Sequence, residues 1–456
     1  MLGYLLQLLG IESSIDRGVA KAALLGGILL ACLAIGISLK DVTQTCGGDL
    51  RPKIVGARAL WSGVNPYTFR WHAGTSDWFL DPWQRTSEPS RCTYPPTALL
   101  FYSTFAWLPY FVQRPLWAAL EWLALFLSLA FLNRTIALTF GKLLFTTLAL
   151  YFFVTSELWR FHVERGQFYV FVLLTLSLAV FFSLRANGDS VVAGVFFAFS
   201  AALRLPFILI MAPLWIFGLK RTTLAMVSTF VFLVCCTLPL GGIDAWKGFV
   251  ATASSWERLA LRPRFIDPHR TEPTVPAIAE GADFRNYISV DYTDLTFNGL
   301  YRRLHLFRFD ALPAASRISK VLAASWLLIA MASALFLRRR DVSLRYILTF
   351  AIVTAFVTEL FLPHRYDYAE ILHLLPLALV IPLVAAAPNS SRLLTALALI
   401  LAGLGAGFLP GYGVALRAAL LFGGYLLVLN HQFTSSLPKL AEQSGSDCDG
   451  RFGCGG

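Results

Sequence analysis

The chain has 456 residues, 57% of them hydrophobic and only 14% charged, and its mean hydropathy is +0.63. A soluble domain carries about 25% charged residues, so a large water-soluble core is excluded and the recurring apolar runs read as membrane spans. The net charge of +11 does not point to nucleic acid, because the Lys and Arg fall in short turns and two polar loops and no basic segment is interleaved with aromatics.

Backbone in lipid must satisfy its own hydrogen bonds, so the spans are helices. Residues 1–18 form a cytoplasmic N-terminus. The apolar run behind Arg17 and Lys21 is too long for the core of a cleaved signal and reads as the first span, 19–40. A polar loop, 41–112, follows. Its stretch 96–111 is rich in aromatics and proline and suits an interfacial helix. Further spans are expected at 113–133, 142–158, 167–184, 190–203, 206–219 and 222–240. The alternative to two short pieces around Pro206 is one long kinked helix, since proline removes a backbone donor. A second large loop covers 241–317. Spans then follow at 318–337, 343–362, 369–387, 393–409 and 412–430, ahead of a flexible cytoplasmic tail, 431–456. The expectation is an all-α polytopic membrane protein of about twelve transmembrane helices with two large extracytoplasmic loops.

Orientation rests on the placement of 96–111 outside the bilayer core. The cytoplasmic turns then carry Arg134 and Lys142, Arg185, Lys220 and Arg221, Arg338, Arg339, Arg340 and Arg345, and Arg392. That is the positive-inside pattern at each turn. Both long loops face outward, together with the short turns 159–166, the region of Arg204 and 363–368. Cys46 and Cys92 bracket the first loop, where an oxidising compartment permits a disulfide. No internal repeat is visible.

The outer face collects the chemistry. Asp49, Arg51, Arg165, Gln167, Arg204, His364, Tyr366 and Asp367 all fall there, while the spans are nearly free of charge, Glu121 and Glu359 excepted. Any one of these charges reads equally well as an interface anchor. Together, a carboxylate, several guanidiniums and an imidazole suit a site that binds a phosphate and moves a proton. Arginine forks match phosphate oxygens. A carboxylate takes the proton of an attacking hydroxyl. A departing phosphate needs positive charge nearby.

Asp49, Gly56-Ala57-Arg58-Ala59-Leu60, Gly63-Val64-Asn65-Pro66-Tyr67 and Tyr94-Pro95-Pro96 resemble, in that order, the opening pattern of glycosyltransferase family 87. Gly166-Gln167, Arg204-Leu205-Pro206, Asn298 and His364 resemble later features. Phe168-Tyr169 after the Gly-Gln pair, and Arg204 in place of the commoner lysine, depart from it. The resemblance implies a GT-C fold in a bacterial inner or plasma membrane with an extracytoplasmic site. It implies transfer of mannose, or else arabinofuranose, from a polyprenyl phosphate to a hydroxyl of a glycan or glycolipid, with inversion. Asp49 is then the catalytic base. Arg204, His364, Arg51 and Arg165 hold the donor phosphate, and Tyr94, Gln167, Asn298, Tyr366 and Asp367 contact sugar or acceptor. No metal or cofactor is expected. Two rival readings remain: a transporter or lipid-linked-sugar flippase, expected to carry polar groups at mid-membrane and related halves, and a non-catalytic envelope assembly protein.

Overall fold

The computed structural model describes residues 17–44, 47–69, 74–79, 92–137, 139–154, 156–261, 312–340, 342–361, 367–386, 390–406 and 413–435. Among them the chain is helical, without strands. The helices are α1 (Arg17–Gln44), α2 (Leu50–Trp61), α3 (Pro96–Ala106), α4 (Tyr110–Thr135), α5 (Thr139–Leu148), α6 (Glu157–Arg165), α7 (Tyr169–Arg185) and α8 (Val191–Leu203). They continue with α9 (Met211–Ile216), α10 (Lys220–Leu261), α11 (Leu312–Leu337), α12 (Leu344–Phe361), α13 (Leu374–Ala386), α14 (Ser391–Ala406) and α15 (Gly413–Ser435).

Each expected span overlaps a helix. By length and composition, four described segments suffice to cross a bilayer: Leu24–Val42, Tyr110–Thr135, Lys220–Ala253 and Lys320–Leu337. The pair α6 and α7, bent by 110°, makes a fifth if it is one broken span. Shorter apolar helices, among them α8 and parts of α13, α14 and α15, complete the apolar set.

Short polar signals set the helix ends. Ser156 caps α6 by accepting from the Trp159 backbone N–H at 3.4 Å. Asp189 caps α10 from outside the helix, accepting from the N–H groups of Arg221 at 2.9 Å and Thr222 at 2.6 Å. Those two bonds outweigh the burial that pushes its carboxyl up, and the Asp189 pKa lies below the ordinary value. α8 and α10 cross closely at Gly194, where a Cβ would stand 2.2 Å from the Thr222 carbonyl oxygen.

Several boundaries differ from expectation. The stretch 159–166, expected as an outward turn, is most of a polar two-turn helix, α6. It is too short and too charged to show an apolar period. α10 runs past the expected loop start at 241 as far as Leu261, kinked where Gly242 adopts φ 62° after Pro239. Around Pro206, by contrast, the chain is broken into two pieces as expected, and not one kinked helix, because Arg204 is extended (φ −143°, ψ 102°) before the 3-10 turn Leu205–Ile210. α3 is only 11 residues long and packs against α2, α8 and α10, with Ala98, Leu99 and Tyr102 fully buried. Cys92 is a free, buried thiol rather than half of a disulfide, pushed up to about 12 by burial. It packs on Gly56, where a Cβ would come within 3.0 Å of Sγ. Cys46 lies outside the described residues.

The helices present two distinct ends. At one, Arg345 donates to the Thr135 carbonyl at 2.6 Å, tying the start of α12 to the end of α4, and Asp189 caps α10. Arg134, Arg185, Lys220 and Arg221 belong to this end. At the other, the start of α4 meets the end of α6, since Arg114 donates to the carbonyls of Val163 at 2.6 Å and Glu164 at 2.8 Å. α4 has 26 residues, so the two ends lie roughly 40 Å apart. The basic turns and Asp49 therefore occupy opposite ends of the helices.

Candidate active site

The segment carrying Asp49 docks on the end of α6. Gly166 closes that helix in the left-handed conformation, φ 69°, and a Cβ there would lie 2.7 Å from the Leu50 Cβ. Glycine is therefore required twice over, for the dihedral and for the close approach. The contact lets the Asp49 backbone N–H donate to the Arg165 carbonyl at 3.0 Å. The side chains meet as well. Arg165 Nε donates to Asp49 Oδ2 at 2.5 Å and its terminal nitrogen to Oδ1 at 3.3 Å. The Gln167 amide nitrogen also donates to Oδ2. Asp49 keeps 21% of its side-chain exposure and Arg165 46%, so the pair faces an accessible edge. Burial pushes the Asp49 carboxyl up, but Arg165, Lys53 and the Gln167 amide outweigh it and hold the group below the usual carboxylate value.

One turn along α2 lies Lys53, with no exposed surface. Its Nζ donates to the Gln167 side-chain oxygen at 3.2 Å and to the Gly166 carbonyl at 3.4 Å. It also lies 4.6 Å from the ring centre of Tyr94 and 5.3 Å from that of Phe168. Burial lowers its pKa to about 8, against the upward pull of Asp49 and Glu121.

A layer behind this fixes the turn between α6 and α7. Trp117 Nε1 donates to the Gln167 carbonyl at 3.2 Å. The Val170 N–H donates to His162 Nε2 at 3.2 Å, which places the His162 proton on Nδ1, 3.1 Å from Glu121 Oε1. Both side chains are fully buried.

A second ion pair adjoins the first. Arg204 Nε lies 2.5 Å from Glu359 Oε1, and its NH1 donates to the Tyr169 hydroxyl at 2.8 Å. Tyr169 stacks on Phe168 with ring centres 4.6 Å apart, and Phe168 is part of the Lys53 cage. Asp49 and Arg204 are thus linked through Gln167, Lys53, Phe168 and Tyr169.

The structure brings together Asp49, Arg165, Gln167 and Tyr94, with Arg204 next to them, but gives several of them other partners than expected. Arg165, expected on the donor phosphate, is on Asp49. Arg204 is on Glu359, which is buried and needs a cationic partner. Gln167 contacts Asp49 and Lys53. Tyr94 shields Lys53 with its ring and accepts from the Tyr67 hydroxyl at 2.5 Å with its carbonyl. Arg51 is half-buried on the first turn of α2. His364, Tyr366 and Asn298 lie outside the described residues. Asp367 opens the 3-10 turn Asp367–His373, which packs on α6 and α7, but its side chain is likewise outside the description.

Sequence reasoning missed Lys53, Tyr169 and His162. Lys53 was signalled by its place four residues after Asp49. Glu121 and Glu359 stood out as charges inside apolar runs, without indication of their partners. The motif residues around Asp49 prove to be architectural. Arg58 donates to the carbonyls of Ala106 at 2.8 Å, Trp78 at 2.9 Å and Leu108 at 3.3 Å. Asn65 accepts from the Tyr67 N–H at 3.0 Å and donates to the Asp244 carbonyl at 3.1 Å, pinning the turn to α10 beyond its kink. They anchor the segment that carries Asp49 and Lys53.

Long apolar helices with an accessible carboxylate at one end are those of an integral membrane protein. Residues 93–272 match the model of glycosyltransferase family 87, as the resemblance in the sequence implies, and the match indicates a membrane glycosyltransferase. Tyr94, Gln167 and Arg204 lie within the matched stretch, while Asp49 and the motifs up to Tyr67 precede it. Neither the curated proteins nor the solved structures contain a match.

Proposed function

We propose that the protein transfers a sugar, mannose in preference to arabinofuranose, from a polyprenyl phosphate to a hydroxyl of a glycan or glycolipid at the extracytoplasmic face. The observation that carries this is the Asp49 carboxylate, kept ionised yet accessible. Among the described residues, Oδ2 takes the two shorter contacts and Oδ1 only the 3.3 Å one, so Oδ1 is the oxygen that takes a proton. The acceptor hydroxyl gives its proton to Oδ1 as its oxygen bonds to the anomeric carbon. The bond from that carbon to the phosphate oxygen breaks on the opposite side, inverting the centre and releasing polyprenyl phosphate.

The phosphate then needs cations. Arg165, half exposed beside Asp49, and Arg204, next to it through Tyr169, support this role, with His364 and Arg51 as further contributors. Tyr94, Gln167, Asn298, Tyr366 and Asp367 form the sugar and acceptor side. The chemistry requires no metal or cofactor, since side-chain cations supply the electrostatics. A flippase would concentrate ionisable groups at mid-membrane, whereas Asp49, Arg165, Arg204 and Glu359 cluster at one end of the helices. An assembly protein would not depend on Asp49 ionisation.

The test is purified protein in lipid, supplied with polyprenyl-phosphate mannose or polyprenyl-phosphate arabinofuranose and an extract of membrane glycolipids. Release of polyprenyl phosphate is expected with one donor; release with neither would contradict the proposal.

A further inference from the structure

We propose that Lys53 is a positioning residue of this site: its ammonium holds the Gln167 amide by the oxygen and thereby aims the amide nitrogen at the Asp49 carboxylate. The inference rests on the reading of Asp49 as the base.

The donor inventory makes the arrangement one-way. A lysine ammonium only donates and a carboxylate only accepts, so an amide between them is forced to turn its oxygen to Lys53 and its nitrogen to Asp49. The described contacts have this sense, Nζ to Gln167 Oε1 at 3.2 Å and Gln167 Nε2 to Asp49 Oδ2. The second Lys53 bond, to the Gly166 carbonyl at 3.4 Å, fixes the backbone one residue earlier. Lys53 therefore grips the 166–167 turn at two points. Full burial keeps it from meeting a substrate directly, and the rings of Tyr94, Tyr102 and Phe168 enclose it.

The charge acts too. The groups facing Lys53 are Asp49 before α2, Glu121 of α4, Arg165 of α6, and Cys92 with Tyr94 ahead of α3. Asp49 and Glu121 favour the ammonium, and Arg165 and burial oppose it. In return, Lys53 is one of the groups that lower the Asp49 pKa. Loss of the ammonium releases the amide and weakens the field on the carboxylate together.

The experiment uses the full chain in lipid nanodiscs. Infrared titration of carboxylates is recorded for wild type, Lys53→Met and Lys53→Gln, with the Asp49 band assigned by its loss in Asp49→Asn. The Asp49 midpoint is expected to move to higher pH in both Lys53 variants. Lys53→Gln retains a donor but no charge, and it serves the same measurement should Lys53→Met not fold. In transfer assays kcat is expected to fall by about 10²-fold, as a misplaced catalytic group costs, with KM little changed. The alkaline limb of the wild-type pH profile, near the Lys53 pKa of about 8, is expected to vanish. An Asp49 midpoint equal to wild type in the folded Lys53 variants would overturn the inference. The infrared midpoint is read without turnover, so it decides Lys53 even if Asp49→Asn proves active and the base assignment fails.

Discussion

Arg165 and Asp49 hold one another twice, once by side chain, with Nε 2.5 Å from Oδ2, and once by backbone, with the Asp49 N–H donating to the Arg165 carbonyl at 3.0 Å. The end of α6 thus fixes both the place and the charge of the carboxylate that opens α2.

Replacing Arg165 should therefore act through Asp49. Arg165→Ala is expected to raise the Asp49 pKa, so that the acid limb of transfer moves to higher pH, while Arg165→Lys should move it less because the charge is kept and the fork lost. The folded pKa of Asp49 is depressed, so its contribution to stability is full above the unfolded value of about 3.9 and is lost as pH falls through the folded one. In the variant that acid loss of stability should shrink. Unchanged acid limbs in kcat/KM and in thermal unfolding would show that Arg165 does not tune Asp49.

Arg204 separates two roles. Glu359 is fully buried, and removing one partner of a buried pair costs about 3–5 kcal/mol. Arg204→Ala should therefore destabilise strongly as well as impair donor use. The double variant Arg204→Met, Glu359→Gln removes both charges and should recover most of the stability. If Arg204 holds the donor phosphate, the double variant stays defective with raised KM for donor. Wild-type kinetics in the folded double variant would confine Arg204 to pairing with Glu359.

Gly166→Ala tests the docking of the Asp49 segment. The left-handed dihedral costs a non-glycine residue roughly 1–3 kcal/mol, and the added Cβ meets Leu50 at 2.7 Å. A lowered melting temperature and a fall in kcat are expected together. A variant as stable and active as wild type would show that the close contact is not needed.

The side of the membrane is a separate question. Ser62, exposed after α2, and Ser343, exposed before α12, belong to opposite ends of the helices. In a cysteine-free background, a membrane-impermeant thiol reagent applied to intact cells should label Ser62→Cys and not Ser343→Cys. The reverse pattern would invert the topology.

The sequence made the fold legible where apolar runs are long, as in α1, α4 and α10, because hydrophobic length is a property of the run itself. It misled at α6, where a short polar helix looks like a turn, and at Leu261, where α10 outlasts its apolar part. In the site, Asp49 and Gln167 were legible from their motifs, but their contact, across 118 positions, was not. The same holds for Arg204 and Glu359, 155 positions apart. Lys53 was within reach, four residues after Asp49 on the helix that Asp49 precedes, but its full burial is not a property of the local sequence. His162 carried no local signal, since its partners come from α4 and α7.

The base assignment is tested most directly by Asp49→Asn, which is nearly isosteric and leaves a group able to meet Arg165. Base catalysis contributes about 10²–10⁴-fold, so turnover with the active donor should fall by that factor, in kcat more than in KM. If Asp49 served only to cap α2, asparagine would cap as well and little would change; the Asp49 side chain makes no capping hydrogen bond there. The decisive measurement is kcat for polyprenyl phosphate release by folded Asp49→Asn protein in lipid, beside wild type. The account predicts a loss of at least about a hundredfold, and activity within about threefold of wild type, far short of a lost base, would contradict it.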